Sequence, residues 1–306
     1  MRQTNRIHLF RPSMATPIIP PTFPSLKITA LRENLLLATG GAGANSGILI
    51  GRDHVLLIDA KMTATTVHEL SQIIQAQVGK PVSKIILTHG DIDHVGGIDA
   101  WPEPFVLISH ELTRKDIIAQ ADPISVKHLS DVTFTEKHQL DFEGTAVELI
   151  HIGPAHTGAD TAVFFPELRA AFVGDVLFFN REPLIHRHKG GSSAGLTAAL
   201  DFLLTLEVDT YASGHSDPVG KAEVKQLREA IAQRREQVRA LAAAGLSWED
   251  IKARLDIKEV QPPPGRPRFP SLAEVIYLEF IEAKAHVNTT TEKPVKTQPL
   301  AAYSTT

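Results

Sequence analysis

The chain has no cysteine among its 306 residues. That excludes disulfides, thiolate zinc sites and a cysteine nucleophile, and it leaves the redox compartment open. Long apolar runs are missing too. None approaches the roughly 20 residues that span a bilayer, so no membrane is expected as a partner. Positive charge is not in excess, since the formal net charge is −4, and aromatics make up only 6%. A nucleic-acid-binding surface would show a basic stripe with interleaved aromatics, so no nucleic acid is expected either. Residues 1–25 carry Arg2, Arg6 and Arg11 but lack the apolar core of a secretory signal. The expected location is therefore cytoplasmic. There is no Gly-x-Ser-x-Gly nucleophile elbow and no internal repeat.

What is present is ordinary for a globular chain: 43% hydrophobic and 22% charged residues. Pro12, Pro17, Pro20, Pro21 and Pro24 predict a disordered arm over 1–25. A main domain is expected over 26–220, helices packed on that same domain over 221–285, and a disordered tail over 286–306. Val67, Leu70, Ile74 and Val78 recur at helical spacing, and Gly79 with Pro81 closes that helix. Further helices are expected over 111–120 and 194–206. Val224, Leu227, Ile231, Val238 and Leu241 form an apolar stripe ended by Gly245. Ser247 opens a capped helix, and Leu272 to Ile281 forms the last one, after a proline-rich linker at 261–267. Strands and helices alternate on both sides of a strand-rich middle. That predicts an α+β fold of two sheets packed face to face with helices outside.

The most informative stretch is Thr88-His89-Gly90-Asp91-Ile92-Asp93-His94-Val95-Gly96-Gly97. It packs imidazoles and carboxylates into one turn directly after the apolar run Ile85-Ile86-Leu87. These are ligands that borderline divalent cations accept, and a loop at a strand end can aim several at one point. Three later segments repeat the arrangement of an apolar run, a glycine and a single ligand: His156 after Gly153, Asp175 after Gly174, and His215 after Gly214. A lone Gly-His is usually a turn; order and number give these weight. Gly40 to Gly47 invites a phosphate-loop reading. It lacks a Lys-Ser/Thr end and precedes a strand, so a turn beside the active site fits better.

Taken in order, these motifs resemble the metallo-β-lactamase-fold hydrolases. That family has an early Asp, matched here by Asp59 at the end of Val55-Leu56-Leu57-Ile58, then a His-x-His-x-Asp-His cluster, then a His, an Asp and a His. The resemblance runs from about residue 28 to 215 and implies an αββα four-layer sandwich with extra C-terminal helices. It carries His89 and His156 onto a first metal site and Asp93, His94 and His215 onto a second, with Asp175 as the bridge. Asp59 becomes an outer residue that orients a ligand. One position departs from the pattern: Asp91 stands where the family usually has its second His, giving His-x-Asp-x-Asp-His. Asp can still bind a divalent ion, but as a harder donor it moves preference toward iron, manganese or magnesium.

The resemblance implies two divalent ions, zinc first and iron or manganese as alternatives, with a hydroxide on the metal as nucleophile. Asp93 is the expected catalytic residue, binding the second ion and holding the nucleophile in line. The expected substrate is a small molecule with an ester, lactone, thioester or lactam-type bond. The alternatives are an iron-dependent oxidoreductase of the persulfide-dioxygenase kind, and a phosphodiesterase or nuclease. His186 and His188, in the loop after Asp175, are candidates for substrate contact. His110 reads as packing or capping.

Overall fold

The structure, a computed structural model, describes residues 23–120, 127–179, 181–258, 262 and 268–291, the segment 286–291 by backbone alone. The expected arm through residue 22, the tail beyond 291 and most of the linker lie outside the described residues. Seven strands form the first sheet in sequence order: β1 (Lys27–Ala30), β2 (Leu35–Thr39), β3 (Ser46–Ile50), β4 (Val55–Ile58), β5 (Val82–Ile86), β6 (Val106–His110) and β7 (Val132–Phe134). Strands β1 to β4 pair antiparallel, while β4 to β7 run parallel. Parallel neighbours need crossovers. Helix α1 (Ala64–Gln77) supplies the first, the single turn α2 (Ile92–Val95) lies in the second, and α3 (Glu111–Ala119) supplies the third.

The second sheet has the order β12-β11-β10-β9-β8, built from β8 (Lys137–Phe142), β9 (Thr145–His151), β10 (Thr161–Phe165), β11 (Ala170–Phe172) and β12 (Thr210–Ala212). A two-residue turn with both φ values positive, Glu143 at 53° and Gly144 at 96°, closes the β8–β9 hairpin. That geometry matches the right-handed twist of paired strands. Strands β11 and β12 are parallel, and α4 (Ser193–Thr205) joins them. Beyond β12 come α5 (Lys221–Ala243), α6 (Trp248–Arg254) and α7 (Leu272–Thr291).

Three apolar layers hold these elements together. Between the sheets, Leu37, Leu49, Ile58 and Ile86 meet Leu149, Val163, Phe165 and Phe172. Outside the first sheet, Val67, Leu70 and Ile74 of α1 pack on Leu57, Ile85 and Leu107. Outside the second, Leu196, Leu200 and Leu203 of α4 join Val224, Ile231 and Val238 of α5 and Val275 and Ile276 of α7. Each fully buried aliphatic side chain contributes about 1.5–3 kcal/mol. The expected αββα sandwich with C-terminal helices is thus the observed fold. No described helix is long and apolar enough to cross a membrane.

Local chemistry explains the ends of these helices. Thr63 caps α1 by accepting from the Thr66 amide, and Gly79, at φ 71°, follows its end. Ser247 and Asp250 form the expected capping box of α6, and His110 caps α3 by accepting from the Leu112 amide. Helix α7 runs to Thr291, past the Ile281 expected from sequence. Weak helix formers such as Thr and Asn do not stop a helix on their own, and the next proline is Pro294.

Candidate metal centre

One parallel strand pair of each sheet, β4–β5 and β11–β12, delivers chemistry-bearing residues to one edge of the sandwich. In the first sheet Ile58 of β4 lies opposite Ile86 of β5, and the ladder continues through Asp59 N–H to Ile86 O at 2.9 Å. Asp59 and Thr88 therefore emerge side by side. In the second sheet Phe172 of β11 faces Ala212 of β12, and the loops beyond are tied by Gly214 N–H to Gly174 O at 2.9 Å. The sheets are stitched where Thr161 N–H donates to Thr88 O at 2.9 Å.

Asp59 is buried and fully engaged. It accepts from the Thr88 amide and hydroxyl, each at 2.8 Å, and lies 2.8 Å from His94 Nδ1. This fixes the His94 ring with Nε2 turned toward the cluster. Asp59 and Lys61 both have left-handed backbones, φ 59° and 65°. Such conformations cost about 1–3 kcal/mol each outside glycine. Part of the compensation is visible: Lys61 is fully buried, and its ammonium donates to the carbonyls of Ala38, Gly40 and Ala44 at 2.7–3.2 Å. Burial lowers its pKa to about 8 against the pull of Asp59. Three acceptors match the three donors of a charged amine. The glycine-rich loop so tied reaches the site, where Ala44 N–H meets Asp93 O and Asn45 N–H meets Gly214 O.

Across this edge the ligand-type atoms converge. His215 Nε2 lies 2.9 Å from Asp93 Oδ2 and 3.2 Å from Asp175 Oδ2. His94 Nε2 is 3.2 Å from Asp175 Oδ1, and His156 Nε2 is 3.9 Å from Asp175 Oδ2. Asp175 thus sits between the His94/His215 pair and His156. His89 Nε2 lies 3.6 Å from Asp91 Oδ2, which is also 3.0 Å from His156 Nε2. Three groupings have ligand atoms close enough for one ion: His89, His156 and Asp175; Asp93, His94 and His215; and Asp91, His156 and His186. The Asp93 and His215 side chains are the open ones, 30% and 28% exposed.

Asp91 is placed unusually for its type. It occupies the N-cap position of α2, where an Asp side chain normally accepts a backbone N–H, yet it makes no cap bond. Its carboxylate turns instead to His156, to His186 Nδ1 at 3.0 Å and to the Lys189 ammonium at 2.7 Å. Burial would raise its pKa, but the His156, His186 and His89 imidazoles outweigh burial and hold it far below the carboxylate range.

These residues fit a metal. His89 Nε2, His94 Nε2, Asp175 Oδ1 and both His186 nitrogens are buried without a hydrogen-bond partner. An unsatisfied buried polar group costs about 1–3 kcal/mol, and coordination by a cation would satisfy several at once. Ligand atoms bound at about 2.0–2.2 Å to one tetrahedral ion stand about 3.3–3.6 Å apart, close to the spacings above. Without a cation the cluster is strongly polarised. Burial disfavours charge on His156, but Asp91 and Asp175 raise its pKa to about 9. Burial also opposes charge on His215, but Asp175 and Asp93 raise it to about 9. Close packing enforces glycine at 214, where an added Cβ would lie 2.2 Å from Asp175 Oδ1.

The structure brings together His89, Asp91, Asp93, His94, His156, Asp175 and His215, with Asp59 behind them. It separates the two loop histidines: His186 is buried against Asp91, whereas His188 is exposed. Sequence reasoning missed Lys189, Lys61 and Asp160, whose carboxylate accepts from the Thr157 amide and hydroxyl and braces the turn carrying His156. Lys189 had one signal, its place three residues after His186; Lys61 had none.

Two sheets between helices, with an aspartate–histidine cluster where their parallel strand pairs end, define an α+β sandwich whose edge carries a candidate metal site. The chain belongs to the metallo-beta-lactamase superfamily, whose model matches residues 39–215, more than half of the sequence. It is 28% identical over 157 residues to the α subunit of 2,4-dinitroanisole O-demethylase from Nocardioides sp. (strain JS1661), 51% of this chain but only 47% of that protein. It is 28% identical over 199 residues to YqgX of Bacillus subtilis (strain 168), described as a probable metallo-hydrolase, 58% of this chain and 88% of that one. The structure matches a metallo-beta-lactamase from Pontibacter korlensis with TM-score 0.61, over 68% of this chain and 99% of that one. At 18% identity, this last likeness concerns the fold alone.

Proposed function

We propose that the protein is a divalent-metal-dependent hydrolase of a small ester, lactone, thioester or lactam-type bond. The observation that carries this reading is the set of buried, unpartnered imidazole and carboxylate atoms converging beneath the opening at Asp93 and His215. In this proposal His89, Asp91 and His156 hold a first ion, Asp93, His94 and His215 hold a second, and Asp175 lies between them. Zinc suits a mixed imidazole and carboxylate set, and Asp91 admits iron or manganese. When bound, such ions lower the pKa of water toward about 7 and polarise a carbonyl oxygen.

The chain's own residues then have separate tasks. Burial acts against ionisation of Asp93, but His94 and His215 bring its pKa down to about 2. It is therefore an ionised acceptor at neutral pH, open to solvent and able to hold a proton of the attacking water. Asp59 positions His94, and Asp160 positions His156 through the Thr157 turn. The substrate is proposed to be a small molecule, with neither nucleic acid nor membrane as partner, in keeping with the −4 charge.

Protein purified without chelator should carry about two divalent ions per chain, as in dinuclear hydrolases, and turn over at least one of a panel of esters, lactones, thioesters and lactams. The carboxylate at Asp91 favours one second reading, an iron-dependent oxidoreductase. A single redox-active iron with substrate-dependent oxygen uptake and no hydrolysis would replace the first reading with the second.

A further inference from the structure

We propose that His186 is a ligand of the first metal ion, supplying the imidazole that is lost where Asp91 replaces the family's usual histidine. The assignment deepens the metallohydrolase reading above and rests on it. Three observations about this ring converge.

The first is its lack of partners. His186 is only 8% exposed, and neither ring nitrogen has a hydrogen-bond partner. Leaving one such nitrogen unpaired costs about 1–3 kcal/mol; Nε2 is in that state, and Nδ1 has only the Asp91 carboxylate beside it, outside hydrogen-bond geometry. A histidine that touched substrate would present a nitrogen to the open part of the site, and both nitrogens here are buried.

The second is its spacing. His186 Nδ1 stands 3.0 Å from Asp91 Oδ2, yet the pair lacks hydrogen-bond geometry. That is how two atoms stand when both point at a third between them. The same Oδ2 is 3.0 Å from His156 Nε2 and 3.6 Å from His89 Nε2, so one carboxylate oxygen is ringed by three imidazoles. The Lys189 ammonium holds the other oxygen, Oδ1, at 2.7 Å. It thereby restricts Asp91 to one donor atom and offsets its charge.

The third is how firmly the ring is held, and by what. The His186 amide donates to His156 O at 2.8 Å, which ties the loop to the turn that carries His156. Phe269 stacks on the ring with centroids 4.8 Å apart and planes at 22°. Next to it Arg187 pairs with Glu282 of α7. Phe269 and Glu282 both lie past residue 215, where the family match ends. A metal ligand is expected to be locked by outer contacts of this kind. The C-terminal extension would therefore help to build the metal centre as well as cover the second sheet.

The test uses the full-length protein, loaded with zinc for affinity measurements and with cobalt(II) for spectroscopy. A coloured chelator competes for each ion in wild type and in His186→Ala. The weaker-bound ion should lose about 10- to 100-fold in affinity or more, the scale seen even for outer-sphere losses, with the other ion unchanged. The cobalt protein should show one fewer solvent-exchangeable, paramagnetically shifted imidazole N–H proton signal than wild type. Added free imidazole should restore both readouts, which a purely structural role would not allow. If His186→Ala fails to fold, Phe269→Ala takes its place and should weaken the same ion by a smaller factor. A folded His186→Ala that keeps both affinities and every imidazole signal overturns the assignment while the hydrolase reading stands. Wild-type protein with no affinity for divalent ions overturns both.

Discussion

Asp93, His94 and His215 sit on short turns at the ends of β5 and β12, and Asp59 and Asp175 back them from neighbouring strand ends. Asp91, His156 and His186 are held otherwise. Two of them depend on the long loop after Asp175, which lies on the His156 turn and is fastened to α7. The first group is braced by strand pairing within the family-matched segment. The second is braced by contacts about 90 residues apart in sequence, such as Leu272 N–H to Glu182 and Ser193 to Glu279. The difference teaches where variation is tolerated. In the assignment proposed above, the set on the sheet edges has little freedom, whereas the set that leans on a loop and an added helix combines Asp91 with the His186 imidazole.

The widest separation between the groups should come from His94→Ala. It removes an Nε2 that faces Asp175 and leaves Asp59 buried without its imidazole. Metal affinity at the Asp93/His215 group and kcat/KM should fall by more than about 100-fold, read by metal content and by hydrolysis of the best panel substrate. Asp59→Asn keeps the shape but loses the charge behind His94. It should cost about 10- to 100-fold in the same readouts and leave the Asp91 group intact. Asp91→Ala should lower occupancy at the Asp91 group by about tenfold and spare the other; Asp91→His should shift its preference toward zinc. Equal losses at both groups in the Asp91 variants would erase the distinction.

The smallest effect is one of pH, and it is shared. In the chelated protein the raised pKa values of His156 and His215 mean that the fold binds protons more tightly than the unfolded chain. The resulting stabilisation is full below the ordinary histidine pKa of about 6.5 and is lost as pH rises through about 9. The metal-free melting temperature should therefore fall across that window. Metal affinity should rise over the same window, because protons and cations compete for the same nitrogens. A metal-free melting temperature that is flat between these values would argue against the charged cluster.

Most of the fold and most of the cluster could be read from local patterns. Strand, glycine and ligand recur at His156, Asp175 and His215, because a strand end must turn sharply to present a side chain. Helices α1, α5 and α6 announced themselves through stripes and caps. Lys61 was invisible, because a lysine is nearly always solvated; here it is buried with its ammonium on the carbonyls of Ala38, Gly40 and Ala44. His186 and His188 looked alike in sequence. What separates them is a stacking contact with Phe269, 83 residues further on, and no local pattern encodes so distant a contact.

The stitch between sheets at Thr88 and Thr161 has a consequence for how the molecule assembles. His89, Asp91, Asp93 and His94 belong to one half of the sandwich, while His156, Asp175 and His215 belong to the other. Each grouping close enough to hold one ion among the described residues draws on both halves, so the proposed sites are complete only once the two have docked. A bound ion would then act as a rivet between hemispheres, adding about 4 kcal/mol to their union at a free concentration 1,000 times its Kd. Without the ion the seam would rest on the apolar layer between the sheets and hydrogen bonds such as the Thr88–Thr161 stitch, so chelated protein should melt at a lower temperature than metal-loaded protein.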